Sequence, residues 1–159
     1  MNTIYLLTMK YISTRGKSQN LQFEDVLLTG LSPDGGLYVP KEWPILNYSE
    51  LKNDKYHKIA AEILYPFLDS FVSYDDLIKL TENAYRSFDV EEMAPLVKLE
   101  ENRYILELFH GPTLAFKDFA MLLLAELFDL SLKKRNEKIT IIGATSGDTG
   151  SAAIEAFKN

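Results

Sequence analysis

The sequence FHGPTLAFKDFA, at residues 109–120, is the stretch that decides the fold. Its Gly-Pro turn leads into an apolar run, which predicts a helix over 116–134 that is buried on most sides. Lys117 stands at the start of this run, between Phe116 and Phe119. Because lysine is usually solvent-exposed, a lysine in apolar surroundings needs a specific reason. Either its amine reacts with a carbonyl group, or its stem packs on Phe116 while the charged end reaches water.

A second turn, ATSGDTGS at residues 144–151, follows an apolar run. That run predicts a strand over 138–143 of the kind buried in a parallel sheet, and the residues after the turn predict a helix over 149–157. Glycines let the backbone approach a ligand closely, and a helix N-terminus favours an anion. The alternative is an ordinary turn capped by Asp148 or Thr149. Together, a lysine amine and an anion-binding turn suit a cofactor that carries an aldehyde and a phosphate.

The chain before residue 90 predicts a small, mainly helical unit with short strands. The expected elements are a strand at 10–13, a helix from Phe23 that ends at Gly30, a turn at 32–36, a strand at 37–39, a possible cap at Ser49, a helix at 56–64 that Pro66 bends or interrupts, and a helix at 74–88 capped by Ser73. After Pro95 the pattern changes to a hairpin, with strands at 96–99 and 104–109. Strand, turn and helix at the end of the chain make half of a doubly wound unit, so we expect a longer protein.

Composition excludes several classes of function. The chain has 159 residues, of which 47% are hydrophobic and 25% charged, with a net charge of -6. Such a chain is globular, and its acidity argues against nucleic acid as a partner. There are no cysteines and only two histidines, so thiolate chemistry and a multi-histidine metal site are excluded. No apolar run is long enough to span a bilayer, and residues 1–8 lack the features of a signal peptide, so we expect a cytoplasmic protein.

Three further polar residues lie near Lys117 in the sequence and could have a function. His110 could act as a base, but beside a Gly-Pro turn we expect it to hydrogen-bond the backbone. Glu107 lies on a predicted strand, where a solvated or paired side chain is expected. Asp118 could pair with Lys117 or cap the helix, and we expect the cap.

Four segments together resemble threonine synthases of the long form. They are KYISTRG at 10–16, GLSPDGGLYVP at 30–40, HGPTLAFKD at 110–118 and ATSGDTG at 144–150. Their order and spacing are similar to the start of that family, and the resemblance covers residues 9–159. The last two segments occur in looser form in other pyridoxal phosphate enzymes of the tryptophan synthase β-subunit fold. The resemblance implies an α/β fold: a mainly helical N-terminal unit over 9–92, then the start of a fold type II α/β/α catalytic domain over 93–159, with residues 1–8 as a leader or start-site extension.

The resemblance also implies an activity and its site. The reaction is the conversion of O-phospho-L-homoserine and water to L-threonine and phosphate, with pyridoxal 5'-phosphate as cofactor. Lys117 matches the lysine that binds the cofactor, with Phe116 and Asp148 also in contact with it. The substrate carboxylate is expected at Thr145, Ser146, Gly147, Asp148 and Thr149. In many relatives an asparagine replaces Asp148.

The resemblance further implies that the site is incomplete in this chain. The family's loop for the cofactor phosphate and its partner for the pyridine nitrogen lie further along, so we expect the 159-residue chain to be inactive. Two alternatives stay open: a threonine synthase-like phospho-lyase that makes a keto acid, and a non-catalytic remnant or interaction module.

Overall fold

A computed structural model describes residues 9–47, 51 and 55–158. The expected leader at 1–8 and the possible cap at Ser49 lie outside the described residues. The elements are, in chain order, β1 Tyr11–Ser13, α1 Phe23–Thr29, β2 Tyr38–Pro40, α2 Tyr56–Leu68, a 3-10 turn Asp69–Phe71, α3 Tyr74–Tyr85, β3 Leu96–Glu100, β4 Arg103–Leu106, α4 Asp118–Arg135 and α5 Asp148–Ala156.

The described residues form two compact units. The first contains the chain before residue 48 together with 58–79, and the second contains 55–57 together with 80–158. This division falls inside α2 and α3. The boundary expected near residue 92 separates the N-terminal domain from the catalytic domain of the family, and it stays a prediction.

In the first unit, β1 and β2 form an antiparallel pair with Tyr11 opposite Pro40 and Ser13 opposite Tyr38. The predicted turn between α1 and β2 is present, since the Gly35 N–H donates to the Ser32 carbonyl at 2.8 Å. The ring of Phe23 lies between those of Tyr11, at 6.2 Å, and Phe71, at 5.4 Å, between centroids. Aromatic contact between α1, β1 and the 3-10 turn therefore builds this core.

Two predicted helix boundaries in the first unit are confirmed, and a third differs. Gly30 ends α1 with a φ of 71°, and the Ser73 hydroxyl accepts the Asp76 N–H at 3.2 Å as the predicted cap of α3. An interruption of the second helix near residue 64 is ruled out, because α2 continues through Pro66 to Leu68, and a bend at Pro66 stays a prediction. A proline inside a helix loses one hydrogen bond, and only two residues follow this one before the helix tightens into the 3-10 turn.

In the second unit, four aromatic rings anchor the start of α4. The ring of Phe119 lies 4.7 Å from that of Phe88 and 5.8 Å from that of Tyr56, and Tyr56 contacts Tyr85 edge-on at 5.1 Å. The Tyr85 hydroxyl donates to the Phe119 carbonyl at 3.2 Å. The predicted long helix is present as α4, which ends at a left-handed Asn136 after three cations in its last turn. The expected burial on most sides is wrong, because beyond Asp118 only Leu123, Leu127 and Ser131, spaced four residues apart on one face, are buried.

The predicted strand over 138–143 is wrong. These residues form no strand, and Ile139, Ile141 and Ile142 are 45%, 52% and 92% exposed. A buried parallel strand needs a neighbouring strand on its edge, and within the described part of the chain the strands pair only as β1 with β2 and β3 with β4. The predicted hairpin is present as β3–β4, with both strands exposed along their whole length, but its second strand ends at Leu106 instead of continuing to residue 109.

Candidate functional site

Lys117 occupies the position immediately before α4, with φ -67° and ψ -18°. Its side chain is half-buried, and its Nζ lies 4.2 Å from the ring centroid of Phe116. The Phe116 ring is itself 57% exposed. The amine is therefore held by a cation–π contact against an exposed aromatic face, at the start of a helix whose Leu123 and Leu127 are buried. The group that contacts Phe116 is the amine itself, whereas the alternative to a reactive lysine expected the stem to pack there and the charged end to reach water.

Asp118 neither caps α4 nor pairs with Lys117, so the expected cap is wrong. Its carboxylate is completely buried, with Oδ2 accepting the Thr113 N–H at 2.9 Å and Oδ1 accepting the Thr113 hydroxyl at 2.6 Å. The side chain thus reaches back to the loop that precedes the helix. A buried carboxylate is stable only with such partners.

His110 also differs from expectation, since its side chain pairs with a carboxylate rather than with the backbone. His110 Nε2 lies 2.7 Å from Glu107 Oε2, and the two side chains are 18% and 24% exposed. The paired side chain expected for Glu107 is therefore confirmed. The His110 carbonyl accepts the Asp89 N–H at 3.1 Å, which ties the start of the lysine loop to the segment after α3.

The second Gly-rich turn is organised by Thr145. Its hydroxyl oxygen accepts the N–H groups of Gly150 at 3.0 Å and Gly147 at 3.3 Å. Gly147 precedes α5 with a φ of 145°, in a region that favours glycine, and no side chain caps the helix there. The predicted cap at Asp148 or Thr149 is therefore wrong, because Asp148 is already the first helical residue.

The turn presents an exposed helix N-terminus. The residues from Thr145 to Asp148 are exposed, and a Cβ on Gly147 would meet open space. Such a terminus attracts anions through free N–H groups and the helix dipole. Asp148 places a carboxylate in the first turn, which favours the helix but adds negative charge beside any bound anion.

The structure places the sequence-predicted residues at the starts of two helices that pack together. Phe116 and Lys117 precede α4, residues 145–149 surround the start of α5, and the ring of Phe128 lies 5.9 Å from that of Phe157 between these helices. A cavity of about 670 Å³ in the first unit, lined by Lys17 and Tyr38 among others, contains none of the predicted residues.

The sequence reasoning missed the residues that shape the lysine loop. They are Gly111, Thr113 and Leu114. The sequence signal for Thr113 is a hydroxyl residue five positions before Asp118. Neither helical nor strand spacing brings two side chains five positions apart together, so their contact was not expected. The left-handed φ of 60° at Leu114 had no sequence signal, since leucine rarely adopts it.

Comparison with known proteins identifies what the chain is similar to. Residues 10–85 match the sequence family described as threonine synthase N terminus. The threonine synthase of Pseudomonas aeruginosa is 51% identical over 153 residues, with 94% of this chain and 33% of that protein covered. Threonine synthase-like 2 of Xenopus laevis is 39% identical over 154 residues, with 94% and 33% covered.

A solved structure gives the same result at the level of fold. The crystal structure of threonine synthase from Brucella melitensis with bound pyridoxal phosphate superposes with a TM-score of 0.90 at 49% identity, over 94% of this chain and 33% of that one. The predicted α/β fold class is thereby confirmed. The chain spans about a third of the length of the relatives that it matches.

Proposed function

We propose that this chain, which belongs to the threonine synthase family, contributes the cofactor lysine and the substrate carboxylate turn of a pyridoxal 5'-phosphate enzyme. The proposed reaction converts O-phospho-L-homoserine and water to L-threonine and phosphate. The observation that carries the proposal is the match to the pyridoxal phosphate-bound Brucella enzyme, which extends over 94% of this chain. The cytoplasm remains the expected location, and within the described residues no helix has the length and apolar character needed to cross a membrane.

The residues present fit the cofactor. An aldehyde needs an amine that is not locked in an ion pair, and the Lys117 Nζ lies against the exposed ring of Phe116. A flat pyridine ring needs an aromatic or apolar neighbour, which Phe116 provides. Lys117 and Phe116 would hold the cofactor here, with Asp148 as a further contact.

Lys117 would hold the cofactor and carry protons. When bound, the cofactor supplies an electron sink for the negative charge that forms when the substrate loses its α-proton. The amine of Lys117 would accept protons from the substrate and return them to it. This role needs a side chain that is long and flexible enough to reach more than one carbon of the substrate. A β-proton and phosphate would then leave, water would add to the β-carbon, and protons returned to the α- and γ-carbons would complete threonine.

The turn at 145–149 would bind the substrate carboxylate. The N–H groups of Asp148 and Thr149, in the first turn of α5, and the hydroxyls of Ser146 and Thr149 suit an anion. The Thr145 hydroxyl already accepts the N–H groups of Gly147 and Gly150, so Thr145 shapes the turn and its neighbours contact the ligand. Positioning of this kind is a large part of what a protein adds to cofactor chemistry.

The isolated 159-residue chain is expected to be inactive, because it covers one third of each relative. A chimera tests the proposal directly. The chain is joined to the remaining two thirds of the Pseudomonas aeruginosa threonine synthase, and phosphate and threonine are measured after addition of O-phospho-L-homoserine. We expect turnover from the chimera and none from the isolated chain.

The matched variants are Lys117→Ala and Lys98→Ala in the chimera. Lys98 lies on the exposed strand β3, so its loss should leave turnover unchanged. Lys117→Ala should reduce turnover to background while the circular dichroism spectrum stays the same. Retained turnover in Lys117→Ala would remove this lysine from the mechanism.

The second candidate is a phospho-lyase that releases phosphate and makes a keto acid. It is favoured by the 39% identity to threonine synthase-like 2. Product analysis of the same chimera separates the two reactions, because the synthase keeps the amino group in threonine, whereas formation of a keto acid releases it as ammonia. If the chimera releases no phosphate, the chain is a non-catalytic remnant or interaction module.

A further inference from the structure

The carboxylate of Asp118 is buried at the base of the lysine loop, where an apolar side chain would be less costly. Asp118 has no exposed surface, although it is the first residue of α4. Removing a carboxylate from water is unfavourable unless hydrogen bonds replace the water. Both of its oxygens are bonded to one residue, Thr113, through the backbone N–H and the hydroxyl. This double contact closes a ring of six residues, from Thr113 to Asp118, that contains Lys117.

The backbone inside this ring is strained. Leu114 has a φ of 60°, a left-handed conformation that costs a non-glycine residue about 1 kcal/mol or more. Such a conformation persists only where the surrounding contacts impose it. Here the ring is closed by the Asp118 carboxylate, and the Leu114 N–H donates to the Gly111 carbonyl at 3.0 Å.

Gly111 fits the same arrangement. A Cβ on Gly111 would overlap the Asp118 carboxylate and lie 2.6 Å from its Cβ. A glycine is therefore required for the loop to close over the carboxylate, whatever its backbone angles. Gly111, Thr113 and Asp118 form one interlocked unit, which we name the carboxylate clamp.

The clamp constrains Lys117 because Lys117 and Asp118 are consecutive. Their Cα atoms are about 3.8 Å apart across a trans peptide. The Asp118 N–H donates to the Ala115 carbonyl at 3.0 Å, and the Met121 N–H donates to the Lys117 carbonyl at 2.9 Å. The Lys117 main chain is thus held from both sides, and only its four-carbon side chain is free to move.

We propose that Asp118 is a positioning residue for Lys117, acting through its paired hydrogen bonds to Thr113. This inference rests on the proposed function of Lys117 as the cofactor lysine. The clamp sets where the stem leaves the main chain and keeps the amine over the Phe116 face. Without it the loop at 111–117 relaxes from the left-handed turn, and the amine is no longer presented in one place.

The test measures the Lys117 amine itself and needs no cofactor. The 159-residue chain is labelled with trace formaldehyde and cyanoborohydride over a pH series, and methylation of each lysine is quantified by mass spectrometry. Lys98, on the exposed strand β3, is the internal reference. Free energies of unfolding are measured in parallel by urea denaturation.

The informative pair is Thr113→Val and Thr113→Ser. Valine keeps the shape of threonine and removes the hydroxyl donor, whereas serine keeps the donor. We expect Thr113→Val to change the labelling of Lys117 relative to Lys98 by at least about threefold or to shift its pH profile, and Thr113→Ser to match the unmodified chain. Asp118→Asn should change the profile in the same direction as Thr113→Val.

The proposal fails if Thr113→Val lowers the free energy of unfolding and leaves the Lys117 profile unchanged, since that is the result for a purely structural contact. It also fails if neither quantity changes. If Asp118→Asn does not fold, the threonine pair alone decides. The outcome is independent of the chimera experiment: loss of the proposed function would show in retained turnover by Lys117→Ala, whereas failure of the clamp shows only in the labelling profile.

Discussion

Asp34 shows how one side chain organises the turn of the first unit. Its carboxylate accepts hydrogen bonds from the Ser13 hydroxyl at 2.7 Å and from the N–H groups of Gly36 and Lys17, each at 2.9 Å. The bond from Ser13 is the largest of several that hold the pKa of Asp34 well below its usual range. An acid whose pKa is lowered by folding stabilises the folded state in its ionised form.

Asp34→Asn should therefore destabilise the chain at neutral pH. The difference in stability between the two proteins should diminish as the pH falls below 3.8, the ordinary pKa of aspartate. Protonation of Asp34 in the unfolded chain then removes the stability that its ionised form gives the folded state. Thermal denaturation of both proteins between pH 7 and pH 2 measures the difference. Equal melting temperatures at pH 7 would contradict this role, and Glu101→Gln, in the exposed turn of the hairpin, is the control.

Tyr11 links β1 to α2 through its hydroxyl, which donates to the Phe67 carbonyl at 2.8 Å. Burial raises the pKa of Tyr11 from 10.0 to about 12. The Tyr11 hydroxyl therefore loses its proton at a lower pH in the unfolded chain than in the folded one. The free energy of unfolding should be unaffected by this group below pH 10 and should decline between pH 10 and about 12.

Tyr11→Phe should remove both effects of this hydroxyl. The loss of one hydrogen bond should cost about 0.5–1.5 kcal/mol at pH 8. The variant should then lose less stability than the unmodified chain between pH 10 and pH 12. Urea denaturation across this pH range checks both parts, and a parallel decline of the two proteins would assign the alkaline loss to other groups.

At the scale of elements, α5 depends on the turn before it. Thr145 supplies the hydroxyl that binds Gly147 and Gly150, so the start of this helix is held by a residue outside it. Gly150 is required for that contact, since a Cβ there would lie 2.6 Å from the Thr145 oxygen. The turn therefore needs glycine for two reasons: Gly147 for its backbone conformation, and Gly150 for the close approach of the Thr145 hydroxyl.

Gly150→Ala should displace Thr145 and destabilise the chain by about 1–3 kcal/mol. Gly143→Ala is the matched control, because a Cβ there meets only an ordinary contact at 4.0 Å. Hydrogen exchange of the amides from Gly147 to Ser151 should accelerate in Gly150→Ala and stay unchanged in Gly143→Ala. A slower or equal exchange in Gly150→Ala would mean that Thr145 is not what holds the turn.

At the scale of the whole molecule, burial is uneven. Leu77 and Ala61 are completely buried, whereas apolar side chains of the second unit are exposed along β3, β4 and the segment at 138–143. These include Leu99 at 59% and Ile142 at 92% exposure. Exposed apolar side chains on a hairpin whose outer strand edges have no partner strand within the described residues promote association with other chains.

We expect the isolated 159-residue chain to self-associate. Ile142→Ser should reduce association and change the free energy of unfolding by less than about 0.5 kcal/mol, as is usual for an exposed position. Leu77→Ala should instead cost about 2–5 kcal/mol, because it leaves a cavity in a packed core. Sedimentation velocity and urea denaturation measure the two quantities. A monodisperse chain, or an Ile142→Ser variant that unfolds as readily as Leu77→Ala, would contradict the assignment of this surface.

The amino-acid sequence by itself determined the helices with clear caps and stops, the hairpin, and the family resemblance from which we propose Lys117 as the cofactor lysine and the turn at 145–149 as the substrate carboxylate site. These signals are local: Ser73 caps a helix and Gly30 ends one because of their own chemistry. Only the tertiary structure decided what depends on residues distant in the chain or on a particular backbone conformation. The run at 138–143 has the composition of a strand but no partner strand within the described residues, and Asp118 has the position of a cap but bonds to Thr113 because the loop folds back over it. Sequence patterns report preferences of single elements, whereas pairing and burial depend on what lies beside them in space.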